Sequence, residues 1–214
     1  MNLKKGIIFD MDGTLWDSGE NVAKSWCVAL AKCGHGECKV TKEDMYRVMG
    51  KTMDKIAEEL FPFAKGEEQK HLLQECCVIE NDYLREKGGE LYPKLRETME
   101  VLKEKYHLYI VSNCQAGYIE AFLDYYQFHD LFEDIECYGN NDLPKGDNIR
   151  LVVERNHLDQ AVYVGDIQGG YDATMSAGLP FIHAAYGFGT IAAEVPKIQA
   201  LEDLPVVVPQ VLGE

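Results

Sequence analysis

The chain has 214 residues, of which 46% are hydrophobic and 27% are charged, a composition typical of a globular protein rather than a disordered or fibrous one. Its 36 acidic residues outnumber its 21 basic ones, and the net charge of −15 makes it a poor candidate for binding a nucleic-acid backbone while leaving small anionic substrates open. No apolar run approaches the ~18 residues of a membrane span, and the seven cysteines, an odd number with no secretory segment before Gly6, predict reduced thiols, so we expect a cytoplasmic protein without a membrane partner.

The first predicted element is a buried strand over residues 7–9. Three apolar residues followed closely by a glycine are too few for a helix and fit a strand of a parallel sheet. Asp10 and Asp12 come directly after it. Because unpaired buried carboxylates are costly, we expect a cation at the carboxyl end of this strand.

Residues 16–90 are predicted to be helical, without a convincing strand. Apolar residues recur there at helical spacing and glycines separate the stretches. The predicted helices run from the caps Asp17 and Ser18 to Cys33, from Thr41 to Met49, from Met53 to Leu60, and from Gly66 to Lys87. This segment is the expected inserted domain.

From Tyr92 onward, short apolar strands alternate with helices. Strands are predicted over 107–112, 134–138, 161–165 and 180–184, with a further one at 206–208, and helices over 93–105, 115–126, 146–156 and near 171–177. The alternation predicts an α/β fold, a parallel sheet with helices on both faces. Ligands of such sheets bind outside the carboxyl ends of the strands, so we expect the functional residues there.

Polar residues stand at four of these strand ends or just beyond them. Asp10 and Asp12 follow the first strand, Ser112 and Asn113 end the second, Lys145 comes after the third, and Asp166 ends the fourth. Carboxylates, a hydroxyl and a lysine at one edge suit phosphoryl transfer assisted by Mg²⁺, which prefers oxygen ligands. One such pattern alone carries little weight, but here all four occur in order.

Each of these side chains has an expected task. Asp10 and Asp166 are the expected side-chain ligands of Mg²⁺, with the backbone carbonyl of Asp12 as a third. Asp10 is also the expected nucleophile, which forms an aspartyl-phosphate, and Asp12 is the expected general acid and base. The positions expected to hold the phosphate oxygens are Ser112, the backbone N–H groups near Asn113, and Lys145, which also suits the Asp10 carboxylate.

These motifs resemble those of a known family. The run 10–14 (DMDGT), Ser112-Asn113, Lys145 and Gly165-Asp166 are similar to motifs one to four of the haloacid dehalogenase superfamily, and the resemblance covers essentially the whole chain. The helical insertion is similar to the subclass I cap of phosphoglycolate-phosphatase-like members. The resemblance implies a Rossmann-like three-layer core of residues 1–15 and 91–214, a helical cap domain of residues 16–90, Mg²⁺, and an aspartyl-phosphate intermediate.

Two residues narrow the expected reaction within this superfamily. Dehalogenases generally lack the second acid of motif one, so Asp12 favours phosphoryl transfer. The phosphoglucomutase-like branch tends to carry Glu where this chain has Gly165, which favours a phosphatase acting on a small phosphorylated metabolite. A sugar-phosphate mutase is the alternative within the family. A catalytically weak relative with a binding or regulatory task is the alternative of another class.

One position departs from the family pattern. Relatives usually carry a second motif-four acid four residues after the first, whereas this chain has Gly170 there and its next acid is Asp172. Either Asp172 is a helix-start residue stabilised by the helix dipole, or Asp172 or Gln168 holds a metal-bound water. The first reading is favoured, and it predicts weaker metal binding or reduced turnover.

Substrate selection is expected where the cap meets the core. The chain crosses between them near Leu15 and Trp16 and near Glu90 and Leu91, which suits hinge closure. Lys51 is expected either to pair with an anionic substrate tail or to be a solvated helix residue. The expected substrate-binding positions are Gly13, Thr14, Asn113, Gly50 and Lys51, and Cys114 is expected near the phosphate site, where its modification would impair activity. No pattern specifies the substrate or the oligomeric state.

Overall fold

Strands form the centre of the molecule. The computed structural model describes residues 3–214. Its strands are β1 (Lys5–Phe9), β2 (Trp16–Asp17), β3 (Glu90–Leu91), β4 (His107–Ser112), β5 (Asp134–Cys137), β6 (Gln160–Gly165), β7 (Phe181–Ala184) and β8 (Lys197–Ile198). Six of them form one parallel sheet in the spatial order β5-β4-β1-β6-β7-β8, while β2 and β3 form a separate antiparallel pair. The predicted α/β fold with a parallel, Rossmann-like sheet is therefore confirmed.

Ten α-helices occur in the described residues, and every predicted helix has a counterpart whose ends differ by a few residues. They are α1 (Gly19–Lys32), α2 (Lys42–Val48), α3 (Met53–Leu60), α4 (Glu67–Lys87), α5 (Leu95–Lys103), α6 (Tyr118–Tyr126), α7 (Tyr138–Asn141), α8 (Lys145–Arg155), α9 (Gln168–Ala177) and α10 (Leu204–Leu212). A short 3₁₀ helix, Leu201–Asp203, precedes α10. Helices α1 to α4, which lie between β2 and β3 in the chain and pack on one another, are called the four-helix segment below.

Helices cover both faces of the sheet, as expected. On one face Ile8, Tyr109 and Tyr163 pack in one cluster with Ile149 and Val152 of α8. The cluster on the other face includes Ile7, Phe9, Ile110 and Val164 of the strands together with Met99 of α5, Phe122 of α6 and Val208 of α10. Burial of both faces explains why the strands read as continuous apolar runs.

Strand β1 lies between β4 and β6, so its end is at the middle of the carboxyl edge. Phe9 pairs with Ile110 on one side and with Val164 on the other. This register places the residues that follow β1, β4 and β6 at the same edge of the sheet. The edge therefore gathers the side chains that the sequence separates by more than 150 positions.

Two predictions about strands are wrong. Residues 206–208 do not form a strand but belong to α10, in which Leu204 and Val208, one helical turn apart, are buried while Val206 is 63% exposed. The sixth strand of the sheet is instead β8, which has two residues and thus no periodicity to recognise. Residues 16–90 also contain strand residues, because β2 and β3 pair where the chain enters and leaves the four-helix segment.

Trp16 attaches this crossing to the core. It pairs with Leu91 across the two-stranded ribbon and its side chain is fully buried. Its ring packs edge-on against three aromatic rings of α6, with centroid distances of 5.6 Å to Tyr118, 5.0 Å to Phe122 and 6.2 Å to Tyr126. The entry to the four-helix segment is therefore a packed aromatic contact as well as a chain crossing.

The helices and the cysteines bear on two expectations from the sequence, the one about membrane spans and the one about disulfides. Among residues 3–214, no helix has both the length and the apolar composition that crossing a bilayer requires. All seven cysteines lie in this part of the chain, and each is a free thiol.

We predict that Trp16→Ala lowers the free energy of unfolding by ~3–5 kcal/mol, the usual cost of removing a large buried aromatic side chain. Urea denaturation followed by circular dichroism measures this change. Val101→Ala is the matched control, because Val101 of α5 is 51% exposed and should lose no more than ~0.5 kcal/mol. A loss below ~1 kcal/mol for Trp16→Ala would show that the crossing does not depend on this contact.

Candidate active site

A buried ion pair stands at the end of β1. The Nζ atom of Lys145, the first residue of α8, lies 2.6 Å from Oδ2 of Asp10, and both side chains are at most 5% exposed. The other Asp10 oxygen accepts a 2.9 Å hydrogen bond from the backbone N–H of Met11. The cation expected at this strand end is thus present, supplied by a helix that follows β5.

Asp166, directly after β6, is the second buried carboxylate of the edge. It is 1% exposed, and its Oδ2 accepts a 2.9 Å hydrogen bond from the backbone N–H of Phe188. Burial, and next the negative charge of Asp10, raise the pKa of Asp166 to about 7. The backbone of Gly13, which has φ +78°, lies against the Asp166 carboxylate. A Cβ at residue 13 would be 2.0 Å from Oδ2 of Asp166. Only glycine permits this approach, while the Thr14 hydroxyl lies 3.5 Å from Oδ1.

These carboxylates fit a hard divalent cation. Asp10 and Asp166 bring two negative charges to a buried place where Lys145 supplies one positive charge. Burial and, next, the charge of Asp10 raise the pKa of Asp166, and a bound cation would oppose both effects by favouring the charged carboxylate. Carboxylate oxygens are the ligands that Mg²⁺ prefers. Asp10 and Asp166 would hold such an ion, and the backbone carbonyl of Asp12 remains the predicted third ligand.

Asp12 makes no hydrogen bond to the ion pair and has partners of its own. Its Oδ1 accepts hydrogen bonds of 2.7 Å from the Ser18 hydroxyl and 2.7 Å from the Tyr118 phenol. Burial raises the pKa of Asp12 to about 6, although these two hydroxyls favour its charged form and oppose the rise. A carboxyl with a pKa of about 6 can both donate and accept a proton near neutral pH.

The expectation that the Ser18 side chain caps the first helix is wrong. Ser18 stands at the N-terminal cap position of α1, but its hydroxyl makes no capping hydrogen bond. It donates to Asp12, and the backbone of Ser18 is helical (φ −94°, ψ −9°) rather than extended as in a residue whose side chain caps a helix. Asp17 takes part of the capping role, since its Oδ1 accepts from the backbone N–H of Gly19 at 3.0 Å.

Asn113 joins the sheet edge to the four-helix segment. Its Nδ2 donates a 2.9 Å hydrogen bond to the carbonyl oxygen of Gly50, between α2 and α3. Its Oδ1 is buried without a hydrogen-bond partner among the described residues. Gly50 has φ +82°, and a Cβ there would lie 2.2 Å from the Ile167 side chain, so a glycine is needed where these two parts touch.

A cavity of about 50 Å³ lies between the sheet edge and the four-helix segment. It has room for a few water molecules. The edge contributes Asp12, Ser112, Asn113, Cys114, Gln115 and Tyr118, and the four-helix segment contributes Val22, Trp26, Met45, Val48, Met49, Gly50, Lys51, Met53, Ile56 and Glu80. The structure thus brings together the predicted positions Asp12, Ser112, Asn113, Gly50 and Lys51 in one cavity, and the Asp10, Lys145 and Asp166 group next to it.

Two predicted cavity residues have properties that the sequence does not reveal. Lys51 forms a 2.6 Å ion pair with Glu59 of α3, so its charge is already partnered. Cys114 lines the cavity, but burial holds the pKa of its thiol well above the usual range. A thiol that is seldom ionised reacts slowly, which argues against easy modification at this position.

Gly170, the residue that departs from the family pattern, lies close to the buried ion pair. A Cβ at Gly170 would lie 3.7 Å from Oδ2 of Asp10, an ordinary contact distance. Gln168 instead donates a 2.8 Å hydrogen bond to Asp172, and Asp172 is exposed. Because α9 begins at Gln168 and has no acid in its first turn, the expectation that Asp172 is a helix-start residue is wrong. The place of the usual acid is left without a side chain.

Three residues of the site escape sequence reasoning. Tyr118 of α6 and Glu80 of α4 read as members of apolar helix stripes, and Tyr163 reads as a core residue of β6. Tyr163 is fully buried, donates to the carbonyl oxygen of Val111 at 2.8 Å, and has its ring centroid 5.8 Å from Nζ of Lys145. A hydroxyl or carboxyl within an apolar stripe is the one signal that distinguishes these residues, and it does not specify their partners.

Comparison with known proteins gives this geometry a context. The model of the family described as haloacid dehalogenase-like hydrolase matches residues 7–184. Phosphoglycolate phosphatase of Aliivibrio fischeri is 24% identical to the chain over 196 residues, which cover 86% of this chain and 85% of that protein.

Solved structures share the fold. A haloacid dehalogenase-like family hydrolase from Streptococcus pneumoniae superposes with a TM-score of 0.74 at 21% identity, covering 95% of this chain and 98% of that one. A mutant of CbbY from Rhodobacter sphaeroides, solved in complex with xylulose-(1,5)bisphosphate, superposes with a TM-score of 0.74 at 18% identity, covering 95% of this chain and 96% of that one. At such identities the likeness is one of architecture.

The raised carboxyl pKa values predict how stability depends on pH in the presence of EDTA. The pKa values of Asp12, Glu80 and Asp166 are raised to about 6, 7 and 7, above the 3.8 and 4.5 of unperturbed Asp and Glu. At a pH between the unperturbed and the raised pKa values, the folded protein therefore binds more protons than the unfolded chain. The free energy of unfolding falls as the pH rises from about 5 to about 8. We expect a fall of ~2 kcal/mol or more.

Urea denaturation at pH 5, 6, 7 and 8 in EDTA measures this dependence. Glu80→Gln removes one of the three titrating groups, so its stability should fall less steeply over the same range. A stability that is constant or rises between pH 5 and pH 8 would contradict the prediction.

We predict that Gly170→Asp lowers the Mg²⁺ concentration needed for half-maximal thermal stabilisation by roughly tenfold, because it adds a carboxylate beside Asp10. Melting curves over a Mg²⁺ titration measure the effect. Gly169→Asp is the matched control with the same added charge, since Gly169 is exposed and a Cβ there meets Ile167 rather than Asp10. An unchanged Mg²⁺ requirement for Gly170→Asp would show that the position does not face the ion.

Proposed function

The chain belongs to the haloacid dehalogenase-like hydrolase family, and from this premise we propose that it is a Mg²⁺-dependent phosphatase that hydrolyses a small phosphomonoester through phospho-Asp10. The observation that carries the proposal is the buried pair of Asp10 and Lys145 beside Asp166, with Asp12 separately hydrogen-bonded next to it. A site of purely structural purpose has no need of two buried acids that lack full compensation.

The first chemical step is transfer of the phosphoryl group to Asp10. A carboxylate oxygen of Asp10 attacks phosphorus, the bond from phosphorus to the ester oxygen breaks, and that oxygen takes the proton of Asp12. Lys145 holds the Asp10 carboxylate in place and supplies positive charge to the phosphoryl oxygens. The raised pKa of Asp12 keeps a useful fraction of its carboxyl protonated for this step.

The second step returns the enzyme to its starting state. Asp12, now ionised, takes a proton from a water molecule, whose oxygen attacks phosphorus and releases inorganic phosphate from Asp10. Ser18 and Tyr118 orient the Asp12 carboxylate for both steps, since each donates to the same oxygen. The Ser112 hydroxyl and the backbone N–H groups near Asn113 are the groups we assign to the remaining phosphate oxygens. Mg²⁺, held by Asp10 and Asp166, would offset the repulsion between the carboxylate and the phosphate.

We further propose that residues 16–90 act as a cap domain on a core of residues 1–15 and 91–214, and that the protein works in the cytoplasm on a small phosphorylated metabolite. The four-helix segment supports this role because it supplies most of the cavity lining. The A. fischeri relative acts, by its name, on phosphoglycolate, and CbbY was solved with a sugar bisphosphate. Both ligands are small phosphate esters.

The two alternatives are distinguished by the fate of the phosphate. A sugar-phosphate mutase would move phosphate between positions of its substrate, whereas a phosphatase releases it as inorganic phosphate. A binding relative would form no beryllofluoride adduct at Asp10. The two hydroxyl groups that hold the Asp12 carboxyl in one orientation support an enzyme, since a binding protein has no need of an oriented acid–base group.

We predict that Asp10→Asn lowers Mg²⁺-dependent hydrolysis of 4-nitrophenyl phosphate by roughly a thousandfold or more, because an amide does not replace the carboxylate nucleophile. Release of nitrophenolate measures the rate, and EDTA should abolish the wild-type reaction. Asp172→Asn is the matched control and should retain turnover, since Asp172 is exposed and bonds to Gln168. Turnover retained by purified Asp10→Asn would overturn the mechanism.

A further inference from the structure

One buried acid of the cavity has no task in the proposed reaction. Glu80 of α4 is 3% exposed and lines the cavity. One of its oxygens accepts a hydrogen bond from the indole N–H of Trp26 and the other accepts from Nε2 of Gln115 at 3.0 Å. A carboxylate offers about four acceptor positions, so roughly half of its capacity remains available.

The cavity lies on the leaving-group side of the proposed reaction. Asp12, the proposed proton donor to the leaving oxygen, is part of its lining, whereas Asp10, Lys145 and Asp166 are not. A substrate phosphate at Asp10 would therefore direct its ester group past Asp12 and into this cavity. The groups that line it should decide which leaving group fits.

The polar lining is rich in acceptors, and apart from Ser112, whose hydroxyl is assigned to the phosphate, most of its side-chain donors already have partners. Asp12 and Glu80 are carboxyls, and Asn113, a third lining residue, has a buried Oδ1 without a partner among the described residues while its Nδ2 donates to Gly50. Lys51, the one cation among the lining residues, is paired with Glu59 at 2.6 Å. A leaving group with hydrogen-bond donors would complement this lining.

The charge balance of the cavity disfavours an anionic leaving group. Burial raises the pKa of Glu80 to about 7. The hydrogen bonds from Trp26 and Gln115 oppose this rise, and the charge of Asp12 adds to it. An ester that brought a further carboxylate would place it beside the buried Glu80 carboxyl, an acceptor that offers it no hydrogen bond and repels it when ionised. The other side chains of the lining, such as Val22, Met45 and Ile56, are apolar and offer it no hydrogen bond.

We propose that Glu80 selects the leaving group: the enzyme accepts phosphate esters of small polyols or amino alcohols, whose hydroxyl or ammonium donates to Glu80, and discriminates against esters of hydroxy acids. This inference rests on the proposed phosphatase function and specifies its substrate class. It also separates the chain from the activity named for its A. fischeri relative, whose substrate carries a carboxylate.

Four esters that differ in their terminal group test the proposal: 2-hydroxyethyl phosphate, 2-aminoethyl phosphate, ethyl phosphate and 2-phosphoglycolate. We expect kcat/KM for the hydroxyl and ammonium esters to exceed that for ethyl phosphate by roughly tenfold, the effect of one hydrogen bond to a charged group. We expect 2-phosphoglycolate to be the poorest of the four. A kcat/KM for 2-phosphoglycolate equal to or above that for 2-hydroxyethyl phosphate would overturn the proposal.

Glu80→Gln tests the assigned residue. Its kcat/KM ratio of 2-aminoethyl phosphate to 2-phosphoglycolate should fall by roughly tenfold, because the variant removes the charge and keeps the shape. Glu86→Gln, on an exposed position of the same helix, should leave the ratio unchanged. If Glu80 only supports the fold, Glu80→Gln will change all four rates by one common factor, and that outcome overturns the assignment.

The two levels of the proposal fail in different ways. Hydrolysis of 4-nitrophenyl phosphate combined with a preference for 2-phosphoglycolate would leave the phosphatase function intact and overturn the Glu80 proposal alone. Absence of hydrolysis of all four esters and of the aryl phosphate would overturn the phosphatase function, and the Glu80 proposal with it.

Discussion

The contact between Lys145 and Asp10 is the interaction on which the rest of the site depends. Both groups are buried at the end of the central strand, and removing either would leave an uncompensated charge, at a cost of ~3–5 kcal/mol. The parallel sheet makes the contact possible, because it brings the ends of β1, β4 and β6 to one edge. A lysine 135 positions away in the chain then reaches that edge from the start of α8.

Around this contact the acids divide into two electrostatic groups. Asp10 and Asp166 share Lys145 and remain one positive charge short, which is the condition a divalent cation satisfies. Asp12 lies outside that group and takes hydroxyl partners from α6 and from the entry to the four-helix segment. Asp10 and Asp12, two residues apart in sequence, thus have different surroundings: Asp10 is paired with Lys145, whereas burial raises the pKa of Asp12 to about 6.

The carboxyl edge of the sheet is in contact with the four-helix segment. Asn113 binds Gly50, and Gly50 touches Ile167 next to Asp166, so the four-helix segment is in contact with the catalytic edge at both places. Trp16 secures its entry on α6, the helix that also carries Tyr118. A change in the four-helix segment therefore reaches Asp12 through few contacts, and the cavity between them is where we propose that substrate preference is decided.

Much of this protein follows from its sequence alone. Apolar runs ending in polar residues are enough to predict β1, β4 and β6 and to find Asp10, Asp12, Ser112, Lys145 and Asp166, since a buried strand that ends in a charge is costly unless that charge is used. Helical periodicity is enough to predict α1 to α4 to within a few residues. Two-residue strands such as β8, and the helix over 206–208, lack a periodic signal that could separate them from their alternatives.

Only the tertiary structure decides which side chains become hydrogen-bond partners. Ser18 reads as a helix cap and Tyr118 as an apolar stripe residue, yet both donate to Asp12. Glu80 becomes a cavity acid because Trp26 and Gln115, from another helix and from the core, bury it. A residue's type and the period of its element specify its backbone and its buried side. The partners on that side come from distant parts of the chain, and the burial that they create is the main cause of the raised pKa values of Asp12, Glu80 and Asp166.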